Sequence, residues 1–219
     1  MNTEDKQPPM NIMVIGANGG IGRQTVEYAL ASGHKVTALL RTPAKLHLVH
    51  PNLEIVKGDV RLPGTFEQYL ENNDAVISAL GDGMNKPTTL YSEGNASLLK
   101  SMKKMGARRA FFISASAIEV SPLQPFFIRL ATKYIVQKLF RHGYADQRIM
   151  EKIIKESGIN WTIVRPPRLT DKPATGHYRV AVNRFLKNCL RISRADTAHF
   201  MIDNINTVEM YQSTVEIGY

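Results

Sequence analysis

Cysteine is nearly absent. Cys189 stands alone among 219 residues, which excludes an internal disulfide and suits a reducing, cytoplasmic setting. No uninterrupted apolar run approaches the roughly 20 residues of a membrane span. Residues 1–9 are polar, with Glu4, Asp5 and two prolines, and lack the apolar core of a signal peptide. Residues 1–10 therefore read as a disordered tail before one domain over 11–219. No Cys/His set has zinc spacing, no other metal group stands out, and no Ser–His–Asp arrangement can be read from residue order; no metal is expected. Internal repeats, low-complexity tracts and a Pro/Gly/Ser linker are missing too. Acidic residues are scarce, 19 against 28 Lys and Arg, for a formal net charge of +9. That balance invites a nucleic-acid or anionic-membrane reading. A basic surface on an enzyme that binds anionic cofactors accounts for it more simply, so no nucleic-acid partner is expected.

What the chain does have is a glycine turn near its start. Residues 11–22 read NIMVIGANGGIG, an apolar strand running into Gly16, Gly19, Gly20 and Gly22 and then into a helical pattern. Strand, glycine turn and helix in that order are the context in which such a fingerprint marks a dinucleotide site. Gly16 permits the tight turn, Gly19 and Gly20 let backbone approach a pyrophosphate, and Gly22 lets helix and strand pack closely. The free N–H groups that open the helix then face the phosphates. At the end of the next strand, Lys35–Leu40, an NAD-selective site places an acid for the ribose 2′-hydroxyl. This chain has Arg41-Thr42 there, with Lys45 beyond. A guanidinium holds a 2′-phosphate bidentately and a carboxylate would repel it, so NADP is the preferred cofactor and NAD the alternative.

The remaining pattern supplies the sheet. Strands are expected at residues 53–56, 75–79, 110–113 and 161–164, with helices at 24–32, 62–70, 90–105 and 146–156. A helix start at Ser193, with Asp196 at its third position, has the form of a capping box. Residues 214–217 read as a last edge strand, and 175–182 as an extended segment over the pocket that offers His177 and Tyr178 to a substrate. Lys100, Lys103, Lys104, Arg108 and Arg109 read as a solvated basic cluster at a helix end. Asp59, at the end of the third strand, either accepts from an adenine amino group or caps the helix after it. Strands alternating with helices give an α/β fold, a doubly wound parallel sheet of Rossmann type with helices on both faces.

GANGGIG, Gly58-Asp59-Val60, a serine ending the fifth strand (Ser114) and the run WTIVRPPRLTD over residues 161–171 together resemble the atypical short-chain dehydrogenase/reductases. Within them the chain resembles the NAD(P)H-binding branch that includes flavin reductase/biliverdin-IXβ reductase and NmrA-like proteins. DQRIMEKIIKESG (146–158) and PPRLTDKPATGHYRV (166–180) resemble the flavin reductase branch most closely. The resemblance spans nearly the whole chain after the tail. It implies a phosphate loop of Gly16, Asn18, Gly19, Gly20, Ile21 and Gly22. Arg41 and Lys45 would grip the 2′-phosphate, Asp59 and Val60 would form the adenine site, and Leu80 and Gly81 would lie beside the ribose. Ser114 or Ser116 would be the active-site serine, and Pro166, Pro167, Arg168 and Leu169 would lie against the nicotinamide ribose and substrate.

Short-chain dehydrogenases ordinarily pair a Tyr with a Lys four residues later, the Lys lowering the phenol's pKa for proton exchange with a carbonyl or alcohol. The one literal match, Tyr134 with Lys138, falls in a basic amphipathic segment at residues 125–141 and reads as coincidence. Tyr144 with Arg148 is nearer the expected place but has lost the lysine, and Arg does not reproduce a compact ammonium. A reductase without that pair is chemically reasonable if the acceptor is a flavin, quinone or similar conjugated ring stacked on the nicotinamide. The final proton would then come from solvent or from Ser114 or Ser116, with Arg168 stabilising charge on the reduced ring. The alternative is an NADP-binding, NmrA-like redox-sensing regulator without turnover. For residues 125–141 there are two readings, a helix packed over the active site, which is preferred, and an interfacial helix on a membrane surface.

Overall fold

A computed structural model describes residues 8–81 and 86–219. Expectations about residues 1–7 and about the tip of the loop after Gly81 lie outside the described residues. In chain order the main elements begin with β1 (Asn11–Ile15), α1 (Gly20–Ala31), β2 (Lys35–Leu40), β3 (Leu53–Lys57), β4 (Ala75–Ser78), α2 (Leu90–Met105) and β5 (Arg109–Ile113). They continue with α3 (Phe126–Ala131), a π-helical stretch Thr132–Val136, α4 (Gln137–Leu139), α5 (Arg141–Lys155), β6 (Asn160–Arg165), β7 (Arg168–Thr170), β8 (Arg179–Val182), β9 (Arg191–Ser193), α6 (Arg194–Asp203) and β10 (Ser213–Gly218).

Eight strands form one sheet in the order β3-β2-β1-β4-β5-β6-β10-β8. Every pairing is parallel except that of β8, which runs antiparallel to β10. The order reverses between β1 and β4, and the crevice beyond the carboxyl ends of such strands is where open α/β sheets take ligands. Alternation along β1 sorts the core. Ile12 and Val14 face Val26 and Ala29 of α1 and Phe200 and Met201 of α6, whereas Met13 and Ile15 face Leu98 and Met102 of α2 and Met150 and Ile154 of α5. A strand with a helix layer on each side must be apolar at successive positions, as β1 is. Met10, expected in the tail, is already buried in the first of these clusters.

Several elements depart from the sequence expectations. Residues 62–70 form two 3₁₀ turns, Pro63–Thr65 and Glu67–Tyr69, instead of a helix. Leu62 precedes a proline and is pushed out of the helical region, at φ −117° and ψ 85°, while Phe66 and Leu70 are anchored in the core. β10 is an interior strand and not an edge, and the edge is β8, paired to it from Arg179 to Val182. Residues 179–182 therefore extend the sheet, and none of residues 175–182 lines the cleft described below. Tyr178 meets His199, with its hydroxyl 2.8 Å from Nδ1, and His177 is exposed. Arg109 is no solvated charge. It opens β5 with its guanidinium buried between the Phe111 and Tyr211 rings and donates to the Ile205 and Asn160 carbonyls and to Thr162. Burial pulls its pKa down to about 10.

The contact between α2 and α5 is polar at one end. Asp146, buried on α5, accepts from the backbone N–H groups of Tyr91 and Ser92 at 2.8 and 3.2 Å and from the Ser92 hydroxyl. A carboxylate thus sits on the positive end of α2, which no side chain of its own N-cap residue, Thr89, serves. This anchor sets the neighbouring turn of α5, with Tyr144 and Gln147, on the wall of the cleft described next.

Candidate active site

The cleft has a volume of about 770 Å³ and lies at the carboxyl ends of β1, β4, β5 and β6. One end is made by Gly19, Gly20 and Ile21 together with residues 79–81. Residues 113–117 and 166–169 form the middle. Ile128, Thr132, Val136 and Phe140 roof the far end, above Cys189, Leu190 and Glu216. Of the residues singled out in the sequence, the cleft joins Gly19, Gly20, Ile21, Leu80, Gly81, Ser114, Ser116, Tyr144, Pro166, Pro167, Arg168 and Leu169 along one wall system. Arg41, Thr42, Lys45, Asp59 and Val60 are not part of its lining.

Of those five, Thr42 is tied to the glycine loop. Asn18 reaches across to donate to the Thr42 carbonyl at 3.1 Å. Arg41 and Lys45 are exposed and form no ion pair among the described residues. Asp59 is engaged by Arg61, which donates from its backbone N–H at 2.9 Å and its guanidinium at 3.0 Å. The Arg61 hydrogen bond, aided by the charge of Arg41, holds the Asp59 carboxyl below its ordinary value despite some burial. Val60 is buried and, with Leu80, packs on Gly94 of α2.

The glycine loop is compatible with a dinucleotide phosphate on local grounds. Gly16 has φ +81°, and a Cβ there would stand 2.5 Å from the Ala79 carbonyl oxygen, so β1 can turn beside β4 only with glycine. A Cβ on Gly22 would fall on the Gly16 carbonyl. No side chain caps α1 at Gly19, and its first turn holds no acid. Its opening N–H groups and partial positive charge thus face the cleft without a competing carboxylate. A Cβ on Gly20 would collide with the side chain of Arg194, at the start of α6, which lies over the loop and also pairs with Asp171 at 2.6 Å. Arg194 is a cation beside the glycine loop that nothing in its sequence neighbourhood marks out, since Ser193 to Asp196 reads only as a capping box. Half of that box is present: Ser193 Oγ accepts from the Asp196 N–H at 2.8 Å, but the Ser193 N–H donates to the Tyr219 hydroxyl at 3.1 Å and not back to Asp196.

At the middle of the cleft Ser114 is buried and donates its hydroxyl to Glu151 Oε1 at 2.7 Å. Arg165 holds both oxygens of Glu151, at 2.8 and 2.5 Å, and reaches Glu119 at 2.8 Å. Burial works against the charge of Glu151, but Arg165 and the Ser114 hydroxyl together hold its pKa below the ordinary value. Burial likewise opposes the charge of Arg165, which its two carboxylates keep raised. Arg165 is therefore a buried structural charge, as its place before two prolines suggests. Ser116 opens a short turn and donates its N–H to the Pro166 carbonyl at 3.1 Å, joining the end of β5 to the turn after β6.

Neither tyrosine pair is arranged for proton exchange. Tyr134 is 60% exposed on the outside of the roof, with Lys133 and not Lys138 over its ring, at 5.3 Å. Tyr144 does line the cleft, but burial raises its pKa, with only partial relief from Arg148, whose guanidinium donates to the Ile118 carbonyl instead. A second carboxyl was missed in the sequence. Glu216, on β10 beside Arg165, is 4% exposed and lines the cleft. Its Oε2 accepts from the Leu186 N–H at 2.7 Å. Arg165 is already shared by Glu151 and Glu119, so burial raises the Glu216 pKa, with the Leu186 N–H and Arg165 only partly opposing it. The available signal was a charged residue in the middle of an apolar strand, TVEIG. Cys189 beside it is a buried thiol pushed up to about 12 by burial, which leaves it unreactive.

Among the described residues no group of His, Cys, Asp and Glu could hold a metal ion, and no helix is long and apolar enough to cross a membrane. Known proteins resemble the chain in sequence and in fold. The chain is 30% identical over 175 residues to an uncharacterized chloroplastic protein of Arabidopsis thaliana, covering 76% of this chain but only 61% of that one. Its fold is similar to a short-chain dehydrogenase/reductase from Veillonella parvula in complex with NADP, with TM-score 0.77, 19% identity, and 96% of this chain and 94% of that one covered. It is similar also to ChuY, an anaerobillin reductase from Escherichia coli O157:H7, with TM-score 0.77, 19% identity, and 95% and 96% covered. A family model described as NAD(P)H-binding matches residues 16–207, and the chain belongs to that NAD(P)H-binding family.

Proposed function

We propose that this protein is a reductase that prefers NADPH and passes a hydride to a flavin, a quinone or a similar conjugated ring. The observation that carries the reading is a single cleft that joins a glycine loop to a mostly apolar far end while lacking an activated Tyr–Lys pair. A carbonyl or alcohol substrate needs such a pair, and a stacked ring does not.

The N-terminus of α1 and Arg194 would hold the diphosphate, and Arg41, Thr42 and Lys45 the 2′-phosphate. Ser114, Ser116 and the Pro166–Leu169 turn would position the nicotinamide end; bound there, the reduced cofactor supplies the hydride. Ser114 points its proton at Glu151 and so presents a lone pair to the cleft, which fits a hydrogen-bond acceptor better than an acid. The proton that completes reduction of the ring would come from Glu216, a carboxyl held above its ordinary pKa at the acceptor end, and would be replaced from solvent. Arg168 would balance charge on the reduced ring.

The test is NADPH oxidation by the purified protein with FMN and with several quinones, followed by absorbance. Turnover well above the uncatalysed background is expected. Tight NADPH binding by calorimetry without turnover on any ring would reject the reductase and favour a redox-sensing regulator.

A further inference from the structure

The roof of the cleft has a second face. Between Glu119 and Asp146 the chain contains no acidic residue, yet it carries Arg129, Lys133, Lys138 and Arg141, all exposed. On the same outer side stand Phe126, Phe127, Leu130, Tyr134, Ile135 and Leu139, with Phe126 72%, Phe127 68% and Ile135 64% exposed. A surface with so many large apolar side chains in one continuous stretch is unusual for a protein alone in water. Residues 126–139 contain no fully buried side chain, so the core does not explain their apolar character.

The winding of this stretch keeps the two faces apart. Ile128, Thr132, Val136 and Phe140 line the cleft at a strict spacing of four. In an ideal α-helix of about 3.6 residues per turn that spacing would drift by about 120° over three steps. The π-helical stretch Thr132–Val136 absorbs the drift by widening one turn. One row of side chains therefore stays on the cleft while the apolar and basic rows stay outside. The segment is held to the body through Gln137, which donates to the Ala117 and Ile118 carbonyls at 2.9 and 3.2 Å.

We propose that the outer face of residues 123–141 docks on an anionic lipid membrane, laying its phenylalanines and aliphatic residues into the headgroup region with its four cations at the lipid phosphates. Charge selects this occupant. Apolar side chains flanked by Lys and Arg, with no acid between, have the composition of an interfacial helix. A second copy would meet the same patch across a two-fold axis and bring like charges together. Because the inner row of the same segment roofs the cleft, docking turns the acceptor end toward the bilayer, where apolar rings such as long-chain quinones dissolve. This last step rests on the ring-reductase reading; the docking does not.

The experiment is co-sedimentation of the full chain with vesicles of phosphatidylcholine alone and with added phosphatidylglycerol. Pelleting with the anionic vesicles only, lost in high salt, is expected. Lys133→Glu combined with Lys138→Glu should weaken partitioning at least about thirtyfold, and Phe126→Ser with Phe127→Ser should abolish it. Both pairs are exposed, and unchanged thermal melts would show that folding is intact. Absence of pelleting, equal binding to both vesicles, or a dimer by light scattering that Phe126→Ser with Phe127→Ser dissociates would each overturn the proposal. If the protein docks and oxidises NADPH faster with a long-chain quinone in anionic vesicles, while the charge-reversed variant keeps its rate only on a soluble short-chain quinone, delivery from the bilayer stands. Docking without turnover on any acceptor would remove the reductase reading and leave the docking surface in place.

Discussion

The side chain of Arg194 occupies the space that a Cβ on Gly20 would need. The first residue of α6 thereby lies over the first residue of α1, and a cation far along the chain covers the motif at its start. Arg194→Ala should weaken NADPH binding about tenfold, in the range of one charge-assisted contact of ~1.5 kcal/mol, with little change in melting temperature, because its partner Asp171 is exposed. Gly20→Ala should weaken binding at least as much by displacing the guanidinium. Fluorescence titration of NADPH checks both, and an unchanged Kd in Arg194→Ala would exclude the contact.

Arg41 bears on cofactor choice. Arg41→Asp places a carboxylate where a 2′-phosphate would sit and where NAD-selective sites keep an acid for the ribose. NADPH affinity should fall by about 2 kcal/mol, roughly thirtyfold, with NADH affinity equal or better. A loss shared equally by the two cofactors would mean that Arg41 is merely a solvated charge.

Glu216 has a raised pKa, so as a proton donor it is active in its protonated form. The rate on a ring acceptor should decline as pH rises through that pKa, above the ordinary carboxyl value of about 4.3. Glu216→Gln keeps the Leu186 contact, should lower kcat by 10²-fold or so, and should erase that limb of the profile while leaving NADPH Kd unchanged. A pH profile identical to that of the wild type would assign the proton to another group.

Glu151 and Arg165 form a buried pair whose second carboxylate, Glu119, is half exposed. Removing Glu151 leaves Arg165 with only the half-exposed Glu119 and the buried Ser114 hydroxyl without its acceptor, so Glu151→Ala should destabilise the fold by about 3 kcal/mol in urea titration. Ser114→Ala leaves the ion pair intact and should cost about 1 kcal/mol. If the two variants melted alike, the serine contact and not the ion pair would dominate.

Asp196 receives hydrogen bonds from Ser193, Thr175, Gly176 and Tyr219, and these outweigh its burial to hold its pKa lowered. A depressed carboxyl contributes stability that is fully present above its unfolded pKa, about 3.9, and is lost as pH falls through the folded value. Glu151 acts in the same direction. Unfolding midpoints of the wild type should drop steeply below about pH 4. Asp196→Asn should be less stable near neutrality and show a shallower acid slope.

The elements legible in the sequence were those written in local chemistry. A strand buried on both faces needs a run such as MVI, a tight strand-to-helix turn needs glycine at a positive φ, and a capping box needs a serine three residues before an acid. These gave the parallel sheet, the glycine loop and the start of α6. Where the local signal was ambiguous, packing decided. Residues 62–70 carry a helical spacing of apolar side chains, but Pro63 and the burial of Phe66 and Leu70 turned them into 3₁₀ turns. Arg109 is one of several cations in sequence and a buried, stacked guanidinium in space.

Sequence alone thus determined the cofactor-binding frame, because glycine conformations and strand periodicity act over a few residues. Tertiary structure alone decided the rest of the cleft. Arg194 reaches Gly20 and Ser114 reaches Glu151 only after the sheet has closed the distance between them, and Glu216 faces the cleft because β10 inserts beside β6. The outward row of residues 126–139 belongs with these. Its apolar and basic spacing was visible at once, but whether it would be buried depended on what the fold placed against it, and only its inner row was covered.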